Sequence, residues 1–176
     1  MRNSMRRSLY RDDDARFGPG WGYPPPVHPL AWLRAQDAAS KVYWSGRGDG
    51  LEAAGIGIAD VCRQAAPASL EALRQLGPLL RTADPGVRYY GGLRFDSNDA
   101  TEASWEAFGA FRFVLPRFEL RRRGGHAQLH THLLLPRDRD HLGAILNAAA
   151  DLHFPVDGLP LDVPMPDARV DVPDAE

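Results

Sequence analysis

Apolar and polar residues alternate most regularly between residues 87 and 95, where Val87, Tyr89, Gly91, Leu93 and Phe95 share one face and Arg88, Tyr90, Gly92 and Arg94 share the other. A period of two is the pattern of a half-buried strand. Phe111, Phe113 and Leu115 repeat it, Pro116 interrupts it, and Phe118 and Leu120 resume it in shifted phase. Proline cannot donate to a sheet ladder, so the shift predicts a bulge or an edge position. Beyond Gly124-Gly125 the stretch from His126 to Leu135 alternates again. Ala127, Leu129, Thr131, Leu133 and Leu135 form its apolar face, and His126, Gln128, His130 and His132 form the face expected to meet solvent.

Nearer the start, Lys41 to Ser45 predicts a strand and Leu51 to Ala59 its return, with Arg47-Gly-Asp-Gly50 as the turn, because glycine accepts a positive φ. Pro29 to Gln36 suits a short helix, with proline at its first position and Leu30, Trp32 and Leu33 turned inward. Leu70, Leu73 and Leu76 share a helical face in the element that starts at Ser69, and Gly77-Pro78 breaks it before Leu79 and Leu80. Trp105 and Phe108 are expected to anchor the core, and Asp138 to Phe154 predicts a closing helix that buries Leu142, Ile145, Leu146, Ala149 and Leu152.

Residues 1–28 combine charge with Phe17-Gly-Pro-Gly-Trp-Gly-Tyr-Pro-Pro-Pro26, too many breakers for a regular element, and are expected to form a flexible arm. Residues 161–176 are rich in Pro and Asp and are expected to be an extended or disordered tail. The unit between, residues 29–160, orders antiparallel hairpins with helices and has no βαβ repeat. An α+β fold follows, mainly antiparallel sheet with packed helices.

The chain has 176 residues, 44% apolar and 25% charged, which is enough for one domain-sized core. Its formal net charge of -2 gives no electrostatic case for a nucleic acid or an anionic membrane as partner. No apolar run reaches the length of a bilayer span, and no signal-peptide core follows the basic start, so a cytoplasmic location is expected. Cys62 is the sole cysteine, which rules out an intrachain disulfide and reads as a buried structural residue. Lys41 is the sole lysine, so a lysine-dependent mechanism has one candidate here.

Candidate chemistry is sparse. His130 and His132 fall on one strand face at the spacing of a metal pair, but no third ligand accompanies them, and an exposed amphipathic face accounts for both. Arg121-Arg-Arg-Gly-Gly125 resembles a phosphate patch in composition, yet three consecutive arginines alternate faces in a strand and are expected mostly to solvate it. Asp12 to Asp14 lie in the arm without an apolar pocket to raise a pKa. Gly55-Ile-Gly57 is too short for a nucleotide fingerprint.

A set of segments in fixed order carries more information. Val42-Tyr-Trp-Ser-Gly-Arg47, Ala54-Gly-Ile-Gly-Ile58, Arg88-Tyr-Tyr-Gly-Gly-Leu-Arg-Phe-Asp96 and Phe111-Arg-Phe-Val-Leu-Pro-Arg-Phe-Glu-Leu120, with Trp105 between the last two, resemble the amino-terminal part of isochorismate synthases, the menaquinone-type chorismate-utilising enzymes. The resemblance covers residues 29 to 160. It implies strands that form part of a large sandwich, completed by a later catalytic region holding the general-base lysine, the general-acid glutamate and the carboxylates that bind Mg²⁺. Lys41-Val-Tyr-Trp-Ser-Gly-Arg47 is superficially similar to the base-bearing strand. However, Ser40 replaces the preceding Asp, the spacing to Arg is one residue longer, and the segment falls in the early hairpin, so Lys41 is not assigned that role.

The resemblance therefore implies the structural portion of an enzyme that converts chorismate to isochorismate, not catalytic alone, with no catalytic, cofactor-binding or metal residue in this chain. The partner it implies is the missing carboxy-terminal chorismate-binding region, in cis or in trans, and chorismate only with that region. Tyr89, Leu93, Phe95, Phe111, Phe113 and Phe118 are expected to supply the apolar surface that awaits it. The alternative is a free-standing, non-catalytic binding or protein-interaction module derived from the same fold.

Overall fold

The computed structural model describes residues 5–11, 27–46, 48, 50–65, 74, 77, 86–94, 106 and 108–155. The helix expected from Ser69, Phe95, Trp105 and the tail at 161–176 lie outside or almost wholly outside these residues. Both residues of the Gly124-Gly125 turn take left-handed backbone, φ 56° and 91°. Consecutive positive φ values fit a two-residue hairpin whose twist matches its strands. The turn closes β7 (Phe118–Arg123) onto β8 (His126–Leu135), with Arg123 opposite His126 and Phe118 opposite Thr131.

The early hairpin forms as expected between β2 (Lys41–Ser45) and β3 (Leu51–Ile56), and β3 pairs on its other side with β7. Met5–Arg11, inside the stretch expected to be an arm, form β1 along the free side of β8. The five-stranded antiparallel sheet is ordered β1-β8-β7-β3-β2.

The return strand ends earlier than Ala59. Gly57 takes φ 65°, the chain turns, and β4 (Asp60–Gln64) enters a second antiparallel sheet, ordered β4-β6-β5 with β5 at Tyr90–Leu93 and β6 at Phe111–Leu115. The phase shift at Pro116 is a change of sheet, not a bulge. Leu115 ends β6 in one sheet and Phe118 begins β7 in the other, with the buried Pro116 where the two ladders part. The crossing explains Gly55 in β3: a Cβ there would lie 2.7 Å from the Pro116 Cβ and 2.9 Å from Val42 Cγ1.

β5 is shorter than the alternating stretch, and its faces are exchanged with those expected. Leu93 is 52% exposed, whereas Tyr90 turns toward the larger sheet. Upstream, Val87 is buried against Ala59 and Leu115, with Tyr89 packed on them. Phe111 and Phe118 are buried, so neither belongs to uncovered apolar surface. Cys62 is half-buried in β4 and does not reach the core.

Helices cover one face of the five-stranded sheet. α1 (Pro29–Ala35) starts with Pro29 at its first position, and the His28 Nδ1 accepts from the Leu30 N–H at 3.2 Å. Trp32 and Leu33 pack with Ala54, Ile56, Phe118, Leu120, Ala127 and Leu129, and Ile145, Ala149, Leu152 and Phe154 close the same cluster. Each large apolar side chain buried there contributes about 1.5–3 kcal/mol. The closing helix is a 3-10 turn at Arg139–His141 followed by α2 (Leu142–Ala150). Leu142 and Leu146 are exposed rather than buried, so its inward face is narrower than expected. Gln36 ties α1 to the segment after α2, its Nε2 donating to the carbonyls of Trp32 at 3.1 Å and His153 at 2.6 Å.

Candidate functional site

Strand alternation divides β7 between two environments. Phe118 and Leu120 face the helices, so Glu119 and Arg121 face the other way, and the β7–β8 register sets Glu119 opposite His130. His132 follows at the next same-face position, and its backbone N–H donates to the Arg117 carbonyl at 2.9 Å. Tyr90 reaches this layer from the second sheet, and the Arg121 Nη2 donates to the Gly86 carbonyl at 2.5 Å.

Glu119 is the centre, with no exposed surface. Arg121 holds it as a fork, Nε to Oε1 at 2.7 Å and Nη2 to Oε2 at 2.8 Å. The His132 Nε2 lies 2.8 Å from the same Oε2, and the Tyr90 hydroxyl donates to Oε1. Burial alone raises a carboxyl pKa, but the hydrogen bonds from His132 and Arg121 and the Arg121 charge prevail and hold Glu119 down at about 2. Burial and the nearby carboxylate push the Tyr90 phenol up. His130 stacks on His132 with ring centroids 6.1 Å apart, and burial together with the Arg121 charge pulls its imidazole down to about 3.

These positions correct two expectations. His130 is 5% exposed and His132 0%, so this part of the histidine face is interior, although His126 is exposed. Arg121 is buried too, while Arg122 is half-buried and Arg123 exposed. The reason is cover on both sides of the sheet: the helices screen one face, and the chain from Gly86 to Tyr90 screens the other. An ionised glutamate lets the arginine and histidine donors leave water without losing their bonding.

A second buried carboxylate serves the β8–α2 connection. Arg117 Nη1 donates to Asp138 Oδ2 at 2.6 Å and to the His132 carbonyl at 2.7 Å, and the Leu134 N–H donates to Asp138 Oδ2 at 2.8 Å. Burial opposes ionisation of Asp138, but these bonds and one from Arg137 hold its pKa below the usual value. Arg137 also reaches the Ala59 carbonyl, linking the connection to the second sheet.

Neither buried carboxylate is suited to catalysis or to Mg²⁺. Glu119 and Asp138 are committed to arginines and lack access to solvent, whereas a magnesium site needs oxygen ligands free to coordinate. Among the described residues, no three His, Cys, Asp or Glu side chains are grouped to hold a metal. Lys41 is exposed at the start of β2, opposite Ile56 and apart from the polar layer. One accessible groove of about 610 Å³ lies beside the layer, lined by Val42, Tyr43 and Trp44 of β2 and by residues Val87 to Gly91.

Sequence reasoning missed the layer because it treated each polar face as solvated. The signal was nonetheless present: Glu119 and Arg121 share strand parity, and a two-residue Gly-Gly turn fixes which histidines stand beside them.

These features define an α+β scaffold of two antiparallel sheets tied by buried charge, with an open groove at one margin. Residues 23–154 match the family model described as "Chorismate binding enzyme", and the chain belongs to that family. It is 38% identical over 79 residues to the chloroplastic isochorismate synthase 2 of Arabidopsis thaliana, a match covering 45% of this chain and 14% of the plant enzyme. It is 35% identical over 69 residues to the chloroplastic isochorismate synthase of Catharanthus roseus, covering 39% of this chain and 12% of that enzyme. The fold is similar to that of MenF, the menaquinone-specific isochorismate synthase of Escherichia coli, with a TM-score of 0.50 and 22% identity over 88% of this chain and 30% of MenF. The chain thus spans less than a third of each. No helix among the described residues is long and apolar enough to cross a membrane.

Proposed function

We propose that this chain is the amino-terminal structural portion of an isochorismate-synthase-type enzyme, supporting a chorismate site built by a further region and not turning over chorismate alone. The carrying observation is partial coverage: the family match takes in most of this chain, while the chain accounts for 30% of the structurally similar enzyme. Among the described residues, the buried carboxylates Glu119 and Asp138 are bonded to arginines and Lys41 lies apart from them. General acid–base chemistry on a ring hydroxyl needs an acid and a base within reach of one substrate. Here the chain supplies two sheets, a helix-covered core and an aromatic groove. In the complete enzyme the resemblance assigns Mg²⁺ to the further region, and the cytoplasm is the compartment proposed.

An isochorismate-trapping assay on purified residues 1–176 with chorismate and Mg²⁺ tests this. No turnover above the enzyme-free control is expected. Magnesium-dependent turnover that persists through repeated purification overturns it.

A further inference from the structure

Among the described residues, four strands lie at sheet margins, and three carry features that discourage a neighbour. β1 contains Arg6, Arg7 and Arg11, β4 contains Asp60 and Arg63, and β5 is short and contains Gly91 and Gly92. β2 is different. It has a lysine only at its first position, no proline, and an unbroken register from Lys41 opposite Ile56 to Ser45 opposite Glu52.

The exposure of β2 contrasts with that of its neighbour: β3 is buried at all positions but Glu52, whereas β2 is exposed at all positions but Val42. Tyr43 and Trp44 are 37% and 41% exposed, and consecutive strand positions place them on opposite faces. Among the described residues the backbone is equally open. The Gly46 N–H donates to the Leu51 carbonyl at 2.9 Å and the Gly57 N–H to the Ser40 carbonyl at 3.0 Å. Antiparallel alternation then points the N–H and C=O groups of Lys41, Tyr43 and Ser45 away from β3. The groove opens beside this edge, between Trp44 and Tyr89–Tyr90, with Arg88 in its wall.

We infer that β2 is the edge at which the rest of the enzyme adds an extended strand, seating an apolar side chain in the groove against Trp44. This rests on the proposed function, and it names the surface that the missing region occupies. The occupant is argued from coverage: most of the similar fold lies outside this chain and must attach to it, and β2 is the margin without protection among the described residues. Strand addition supplies main-chain hydrogen bonds, while alternate side chains fill pockets. Arg88 puts a positive charge in the groove wall, so the incoming strand carries an acidic residue there.

The test co-expresses the full 176-residue chain, tagged, with the part of Escherichia coli MenF lying outside its structural similarity to this chain. The tagged chain is expected to capture it, and Tyr43→Pro and Trp44→Lys are expected to lower capture on the order of tenfold or more. Proline at position 43 removes an outward N–H and leaves the β3 ladder intact. Trp44→Lys keeps every main-chain group, so it decides the matter should Tyr43→Pro not fold. Hydrogen exchange is the second readout: the amides of Lys41, Tyr43 and Ser45 should exchange rapidly in the free chain and be protected in the complex. Capture unaffected by Trp44→Lys, or with those amides unprotected, overturns the edge assignment and leaves the proposed function standing. No capture by the wild-type chain counts against both. Concentration-dependent protection of these amides without the MenF part assigns the edge to a second copy and overturns the named occupant.

Discussion

Replacing Glu119 by Gln preserves the volume of the buried side chain and removes the charge on which the polar layer depends. The carboxylate accepts two bonds from Arg121, one from Tyr90 and one from His132, all in a site without solvent. An amide can accept only through its oxygen, and its NH₂ would confront donors already committed to the site. Arg121 remains in the interior as an uncompensated cation, and removing one partner of such a pair costs about 3–5 kcal/mol. For a chain of this size that corresponds to a fall in Tm of roughly 10 °C. Urea titration by circular dichroism, with an unchanged m-value, measures the loss directly.

The same substitution should change the acid limb of the stability curve. The Glu119 pKa in the folded chain, about 2, lies below the ordinary value of 4.5. The stability it contributes is therefore fully present above pH 4.5 and is lost as the pH falls toward 2. The gap is worth about 3 kcal/mol at 1.36 kcal/mol per pKa unit. Glu119→Gln should lack this portion of the acid dependence while being less stable at pH 7. A variant within about 1 kcal/mol of wild type at pH 7, or one with an unaltered acid limb, would refute the account of Glu119 as the ionised centre, since a surface substitution has an effect of that size.

His130→Leu should flatten the curve in a higher range: its folded pKa of about 3 against an ordinary 6.5 means that wild-type stability falls as the pH drops from 6.5 toward 3, and thermal melts across that range should show the variant losing less. Two adjacent glycines should behave oppositely. Gly91→Ala would place a Cβ 1.9 Å from the Arg112 carbonyl oxygen and should abolish cooperative folding or lower Tm by more than about 10 °C, whereas Gly92→Ala meets only Phe108 Cζ at 3.9 Å and should shift Tm by a few degrees at most.

The hairpins were legible because their determinants are local. A Gly-Gly pair between alternating strands predicts a two-residue turn, and that turn alone places Glu119 beside His130. The early hairpin and the Pro29 helix were readable for the same reason. Pro116 was not, because a broken alternation looks the same whether a strand bulges or leaves one sheet for another. The distinction depends on β4 and β5 pairing with β6, contacts remote in sequence. The polar layer was hidden by a related ambiguity. Alternation shows that His130 and His132 share a face, but what covers that face is decided by the chain around Tyr90, some forty residues away along the sequence.

That cover gives Glu119 a role beyond stability, because it is bonded from both sheets: Arg121 and His132 belong to the five-stranded sheet and Tyr90 to the three-stranded one. Apolar contacts are non-directional and would tolerate many offsets between the sheets, whereas a fork and a phenol on one carboxylate admit few. Replacing buried ion pairs by apolar residues of similar volume is often neutral or stabilising by about 1–4 kcal/mol. A Glu119→Leu, Arg121→Met, His132→Leu chain is therefore expected to fold with a Tm within a few degrees of wild type. What it should lose is the fixed position of Tyr90 and hence the wall of the groove beside β2. With 3-fluorotyrosine incorporated and the Tyr90 resonance assigned by its absence in Tyr90→Phe, fluorine NMR should show one sharp Tyr90 signal in the wild type and a broadened or split signal in the triple variant. A single sharp resonance in both chains would mean that packing alone aligns the sheets, leaving the buried charge without a positioning role.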